Sequence, residues 1–107
     1  MTTIAKDAGV ITLINVFTVE PENQQRLVDM LLEATEKTMK HLPGFVSANI
    51  HKSMDGVRVA NYAQWRSRED FQAMLNNPEA LAHMKPIMEI AQNDAHLYEV
   101  IDTIPVS

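Results

Sequence analysis

The chain has 107 residues, a formal net charge of −5 and no cysteine. One domain of this length holds a single hydrophobic core, which leaves no room for a separate cofactor-binding domain, and the scattered Lys and Arg residues argue against nucleic acid as a partner. No apolar run is long enough to span a membrane and residues 1–9 lack the features of an export signal, so we expect a cytoplasmic protein that does not bind membranes.

The first half of the chain predicts one strand and one long helix. Residues 1–9 read as an N-terminal tail, and residues 10–104 as the folded domain. Val10–Val19 is rich in β-branched residues and predicts a strand that ends before Pro21. From residue 22 to residue 41, apolar side chains recur at spacings of three and four, which predicts a helix with one buried stripe.

A hairpin is expected next. Phe45–Ser53 and Val57–Trp65 both have strand composition, and Asp55-Gly56 between them is a strong signal for a two-residue turn with positive φ at both positions. This turn predicts a register that pairs Ile50 with Asn61 and Val46 with Trp65.

The remaining segments predict helices and a last strand. Ser67 followed by Asp70 is a helix-capping pattern, and Asn77-Pro78 begins a second helical segment that Pro86 should bend or interrupt. The alternation in residues 95–104 predicts the final strand.

The resulting order β-α-β-β-α-β predicts a ferredoxin-like α+β fold. Its antiparallel sheet should place the first and third strands at the centre and the helices on one face. Because the other face would then be uncovered, we expect a symmetric homodimer, that is, a dimeric α+β barrel.

Two amides and one indole are the candidate functional groups. The hairpin register sends Asn61 and Trp65 into the space between sheet and helices, and alternation along the first strand sends Asn15 and Phe17 to the same side. An Asn costs β-propensity and needs partners when it is buried. Either the two Asn side chains bond to each other or to a helix end in a purely structural role, or they face a ligand. Met74 is either core packing or part of the wall of a pocket for a flat aromatic ligand.

Metal chemistry is not expected. The four histidines lie on different predicted elements without a paired helical spacing, so we predict no protein-built metal site. Glycine-rich phosphate loops and nucleophile-with-base patterns are also missing from the sequence.

Three stretches carry a resemblance to a known family: residues 45–49, residues 53–56 and the sequence Asn-Tyr-Ala-Gln-Trp at residues 61–65. Over residues 10–103 the chain resembles the antibiotic biosynthesis monooxygenase family, and within it the cofactor-independent branch that forms quinones. The resemblance implies a dimeric α+β barrel, no cofactor, and roles for Asn61 and Trp65 in an active site. It also implies that a phenolic or hydroquinone substrate, a small aromatic molecule, reacts with dioxygen to give a quinone.

The chain departs from that branch at the residues that handle protons. Phe71, on the helix side of the same pocket, stands where the relatives have Tyr, and His83 and Lys85 stand near the position of a relative's Arg. The base would then be His83, Tyr62 or the substrate's own hydroxyl, so His83 is counted with the catalytic candidates and Tyr62 with the pocket residues. Two alternatives stay open, namely a haem-binding and haem-degrading protein that uses Asn15 and His83, and a non-catalytic dimer that binds a small molecule.

Overall fold

The computed structural model describes residues 2–106. Its elements are β1 (Ile11–Val19), α1 (Gln24–Lys37), β2 (Phe45–Lys52), β3 (Arg58–Trp65), α2 (Arg68–Leu75), α3 (Pro78–Ile90) and β4 (Ala91–Tyr98). The strands form one antiparallel sheet in the order β2-β3-β1-β4, with β1 and β3 at its centre. The predicted ferredoxin-like α+β fold is therefore confirmed. Within residues 2–106, no helix is long and apolar enough to cross a membrane.

The core lies between the sheet and the helices and is divided into two clusters. One joins Phe17 and Val59 of the sheet to Leu27 of α1 and Ile87 of α3, all of which are almost fully buried. The other surrounds Trp65, which is 2% exposed, and includes Phe71 of α2.

Capping side chains set the starts of the last two helices, as predicted. Ser67 Oγ accepts a hydrogen bond from the Asp70 backbone N–H at 3.1 Å, and the Asn77 side chain accepts from two N–H groups of α3. Pro86 does not interrupt α3, which continues to Ile90. The proline removes only one backbone donor, and buried Ile87 holds the last turn against the core.

The hairpin keeps the predicted register from Ala48 to Lys52 but not at the start of β2. Ile50 pairs with Asn61 as expected, whereas Trp65 pairs with Phe45 instead of Val46, because a bulge lies between residues 45 and 47. The turn also differs from the prediction, since only Gly56 has a positive φ. The Asp55 carboxylate accepts hydrogen bonds from Ser53 Oγ at 2.6 Å and from the Val57 N–H at 3.1 Å, and so shapes a wider loop.

The last strand begins four residues earlier than predicted and ends six residues earlier. β4 pairs along β1 from Ala91 opposite Val19 to Tyr98 opposite Thr12, so it reaches the end of its partner. The apolar residues beyond it follow a strand-like pattern but have no neighbouring strand, and Ile101 and Ile104 are 74% and 92% exposed. Strand composition alone did not determine where pairing stops.

The outer face of the sheet, opposite the helices, is partly covered by the chain's own N-terminal segment. Gln64 Nε2 donates to the Thr3 carbonyl at 2.7 Å, and Thr2 Oγ1 donates to Asn49 Oδ1 at 2.8 Å. Gln64 is 2% exposed as a result. The prediction of a fully uncovered face was therefore wrong, because residues counted as a tail pack on it.

Candidate active site

A cavity of about 120 Å³ lies between the sheet and the helices, in the gap between the two core clusters. It is lined by the cavity-facing residues of the four strands and by residues of the helices and the segment after α1, namely Leu13, Asn15, Phe17, Leu31, Ala34, Thr35, Met39, Phe45, Ala48, Asn61, Ala63, Trp65, Phe71, Met74, Leu75, Met84, Asn93 and Ala95. At its edge, Leu75 is 50% exposed and Asn93 and Ala95 of β4 are also exposed. The cavity therefore opens toward β4 and the end of α2.

Among residues 2–106, the wall of this cavity has no side chain that titrates near neutral pH. Its polar groups are three asparagine amides, one threonine hydroxyl and the indole N–H of Trp65. The pKa shifts resolved in the chain concern exposed carboxyls elsewhere. A hydrogen bond from Lys40 lowers the pKa of Glu36, and one from Ser53 lowers the pKa of Asp55. Amides and an indole can donate hydrogen bonds to an anion, but they cannot remove a proton from a substrate.

The three asparagines lie on one face of three adjacent strands. Asn15 on β1 is the direct partner of Asn61 on β3, and Asn93 on β4 is a diagonal neighbour, two residues before Asn15's partner Ala95. Asn93 Nδ2 donates to Asn15 Oδ1 at 3.2 Å. Asn61 Oδ1 is buried and has no hydrogen-bond partner within residues 2–106.

This pattern argues against a purely structural pair of amides. A buried acceptor without a partner costs about 1–3 kcal/mol, and a structural Asn would be expected to avoid that cost by hydrogen bonding. Asn15 and Asn61 are paired across the strands, yet their side chains do not bond to each other. Asn61 therefore lines the cavity while its Oδ1 stays buried without a hydrogen-bond partner.

Two aromatic rings fix the position of the Trp65 indole. The ring of Phe45 lies edge-on to it with centroids 5.5 Å apart, and that of Phe71 lies 6.1 Å away at an angle of 69°. The bulge at the start of β2 is what places Phe45 opposite Trp65. Such edge-to-face packing is favourable and restricts the rotation of the indole, so its N–H has a defined direction.

Six of the predicted site residues come together in the cavity wall: Asn15, Phe17, Asn61, Trp65, Phe71 and Met74. Two do not. Tyr62 follows Asn61 in β3, so it lies on the outer face of the sheet. His83 is on α3 but outside the cavity wall, because that helix turns the neighbouring Met84 toward the cavity instead.

The sequence interpretation missed Asn93. It placed the start of the last strand at Ala95, so residue 93 fell outside the predicted sheet. The available signal was alternation, since Asn93 lies two positions before Ala95 and therefore on the same face of an extended strand.

Neither a metal nor a haem iron finds protein ligands in this cavity. No group of three or more His, Cys, Asp or Glu side chains suited to a metal lies among the described residues. No imidazole reaches the cavity wall formed by the described part of the chain. The haem alternative required His83 on the iron side, and the position of His83 does not fit that role.

Comparisons with known proteins identify the family. Residues 10–86 match the family model described as antibiotic biosynthesis monooxygenase. The chain is 51% identical over 83 residues to the tetracenomycin-F1 monooxygenase of Streptomyces glaucescens, which covers 78% of this chain and 74% of that protein.

Solved structures share the fold. A monooxygenase from Streptomyces coelicolor, solved in complex with the ligand nanaomycin D, superposes with a TM-score of 0.80 at 26% identity and covers 92% of this chain and 93% of that one. A cofactor-independent oxygenase from Streptomyces nogalater gives a TM-score of 0.80 at 22% identity, over 92% of this chain and 100% of that one. On the family match and the 51% identity, the chain belongs to the antibiotic biosynthesis monooxygenase family.

Proposed function

We propose that the protein is a cofactor-independent monooxygenase that oxidises a polycyclic phenol or hydroquinone to a quinone. The observation that carries this proposal is the composition of the cavity wall. In the described part of the chain, this wall is apolar except for amide, hydroxyl and indole groups and has no side chain that titrates near neutral pH. Such a cavity can hold an aromatic ring, stabilise negative charge on its oxygen, and exclude water.

The reaction needs no external reductant. A phenolate transfers one electron to dioxygen, and the two radicals combine to form a carbon–oxygen bond at a ring carbon that carries hydrogen. The resulting peroxide then takes up a proton while that C–H bond breaks, and the O–O bond cleaves. One oxygen atom stays as the quinone carbonyl and the other leaves as water, so the substrate itself supplies both electron pairs that reduce dioxygen.

Stabilisation of the phenolate is the task that this wall can perform. The amide N–H groups of Asn15 and Asn61 and the indole N–H of Trp65 are the available donors. Removal of one donor of this kind costs about 3–4 kcal/mol of transition-state stabilisation in oxyanion holes. Because no base lines the cavity, the substrate's own acidic hydroxyl must lose its proton to water.

Cavity size favours a substrate that extends beyond the cavity. A cavity of roughly 150 Å³ accommodates a molecule the size of benzene, and this one measures about 120 Å³. The reacting ring would sit inside, with the rest of the molecule passing the exposed edge at Leu75. The tetracenomycin-F1 monooxygenase and the nanaomycin D complex support a polycyclic substrate of this type.

The test is oxygen uptake with a panel of anthrones and naphthols, in chelator-treated buffer without flavin or metal. We expect uptake of one dioxygen per quinone formed, with at least a tenfold loss in the Asn61→Ala variant. No uptake above a heat-treated control across the panel would overturn the proposal. A hemin titration in parallel should show no specific Soret shift, because no imidazole reaches the cavity wall.

A further inference from the structure

The position of Asn93 suggests a role that the proposed reaction does not yet include. Its side chain lies at the exposed edge of the cavity on the outermost strand, and it donates Nδ2 to Oδ1 of Asn15 at 3.2 Å. Asn15 is 8% exposed and lies on the neighbouring central strand. Asn93 therefore reaches inward from the opening to a buried amide that lines the same cavity.

This hydrogen bond determines which end of the Asn15 amide is free. An amide is planar, with its oxygen on one side and its NH₂ group on the other. When Oδ1 of Asn15 is turned toward β4 to accept from Asn93, its Nδ2 is turned away from β4, toward β3 and the cavity. The structure gives that Nδ2 no acceptor within residues 2–106.

On the β3 side, Asn61 is the neighbour of Asn15. Its Oδ1 is buried and unpartnered, and its Cα is directly paired with that of Asn15. The two amides thus stand side by side in the wall without bonding to each other. If the Asn15 amide were reversed, its own Oδ1 would face the cavity and would repel an anionic oxygen.

We propose that Asn93 is a positioning residue that fixes the Asn15 amide with its N–H group toward the bound phenolate. The inference rests on the proposed function, since it assigns the direction of one donor in that site. Asn93 itself need not touch the substrate, because it acts through Asn15.

Three substitutions separate the possible roles of Asn93. Asn93→Ala removes the hydrogen bond and lets the Asn15 amide rotate. Asn93→Asp supplies acceptors only, so Asn15 must donate its Nδ2 to β4 and turn Oδ1 to the cavity. Gln92→Ala is the matched control, since it removes an exposed amide from the same strand on the outer face.

The readout is binding of alizarin, a dihydroxyanthraquinone whose colour reports whether its phenol is ionised. Trp65 is the only tryptophan of the chain and lines the cavity, so quenching of its fluorescence measures binding there. We expect Asn93→Ala to weaken binding of the anion about tenfold, the effect of losing one charge-assisted hydrogen bond of about 1.5 kcal/mol.

Asn93→Asp should weaken anion binding more than Asn93→Ala does, while neutral alizarin at acidic pH binds both variants as it binds the parent. The pKa of the bound dye should therefore rise in both variants and stay unchanged in Gln92→Ala. Equal binding of the anion by parent and both Asn93 variants would overturn the positioning role. Parallel losses for anion and neutral dye, together with a lower melting temperature, would overturn it in favour of a structural one.

A measurement without any ligand keeps this inference distinct from the proposed function. The NMR signals of the Asn15 side-chain NH₂ group, identified by their loss in Asn15→Asp, should move in both Asn93 variants and not in Gln92→Ala. If those signals do not move, the positioning role fails whatever the enzyme does. If they move but no phenol in the oxygen-uptake panel reacts, only the proposed function fails.

Discussion

At the scale of single residues, the donors in the cavity wall should matter far more for turnover than for stability. Trp65→Phe keeps most of the ring that packs between Phe45 and Phe71 but removes the indole N–H. We expect a cost of at most about 1.5 kcal/mol in unfolding free energy and a loss of about 100-fold in turnover. Urea denaturation and steady-state oxygen uptake on the same preparation measure both quantities.

Asn61→Ala should separate the two quantities further. Its Oδ1 has no hydrogen-bond partner within residues 2–106. Removing it therefore breaks no hydrogen bond of this atom and removes the free-energy cost of a buried acceptor without a partner. Stability should therefore stay equal to the parent's or increase, while turnover falls. A clear drop in melting temperature with unchanged turnover would mean that Asn61 is structural.

Phe71 offers a gain-of-function experiment. Its ring is 9% exposed and lines the cavity, so a tyrosine hydroxyl at this position can point into the cavity and supply the proton that the peroxide intermediate needs. We expect Phe71→Tyr to raise turnover at nearly constant melting temperature. If the hydroxyl were instead buried without a partner, stability would fall by about 1–3 kcal/mol and the rate would not change.

His83→Ala is the control for that experiment. Since His83 lies outside the cavity wall, the substitution should leave turnover unchanged in both the parent and the Phe71→Tyr protein. A loss of turnover in the parent that disappears in the double variant would instead place His83 in the proton pathway.

At the scale of the elements, one glycine joins the β2 strand to the start of α2. Gly44 has φ of +84°, its carbonyl accepts from the Arg66 N–H at 2.8 Å, and a Cβ at this position would collide with the Asp70 side chain. That carboxylate also accepts from the Ser67 hydroxyl beside the helix cap. A side chain at residue 44 would thus disturb the first turn of α2.

The comparison of two glycines tests this coupling. Gly56 has a similar φ of +86° but open space around it, so Gly56→Ala should cost only the backbone strain, about 1–2 kcal/mol. Gly44→Ala adds a collision, and we expect about 3 kcal/mol or more in total. Equal midpoints of urea denaturation for the two variants would show that Asp70 moves aside freely.

The elements also show how far the sequence predicts this fold and site. Periodicity and capping residues sufficed for β1, the starts of α2 and α3 and the central hairpin register, because those features depend on neighbours close in sequence. The bulge before Ser47, the limits of β4 and the packing of Thr3 on Gln64 depend on contacts between distant segments. Asn93 was missed for the same reason, since its strand is defined by pairing with β1.

At the scale of the whole molecule, the outer face of the sheet remains the surface on which we expect a second copy to pack. The N-terminal segment covers the part near Gln64 and Asn49, and half-buried residues such as Val16 and Ala60 lie at the centre of the face. If the two sheets pack face to face, they form the predicted dimeric α+β barrel, which leaves fewer strand edges exposed.

Light scattering measures the mass of the assembly, and so the number of chains in it. We expect a mass of twice 12.1 kDa at micromolar concentration, and a shift toward one chain in Val16→Lys, which puts a charge at the centre of the face. Gln72→Lys, at an exposed position on α2 on the other side of the sheet, should leave the mass unchanged. A mass of one chain for the parent would contradict the homodimer.

Three methionine thioethers line the cavity, from Met39, Met74 and Met84. If reduced oxygen species form beside them, each turnover exposes these sulfurs to superoxide or peroxide that escapes recombination with the substrate radical. Activity should then decline with the number of turnovers, because methionine sulfoxides would make the apolar cavity wall polar. Mass spectrometry after many turnovers should find added oxygen at these positions before it appears at Met54, which is fully exposed to solvent and so reports oxidation from the bulk. If Met54 were oxidised before the cavity methionines, the radicals would recombine without escaping, and oxidation of the cavity wall would not limit the lifetime of the protein.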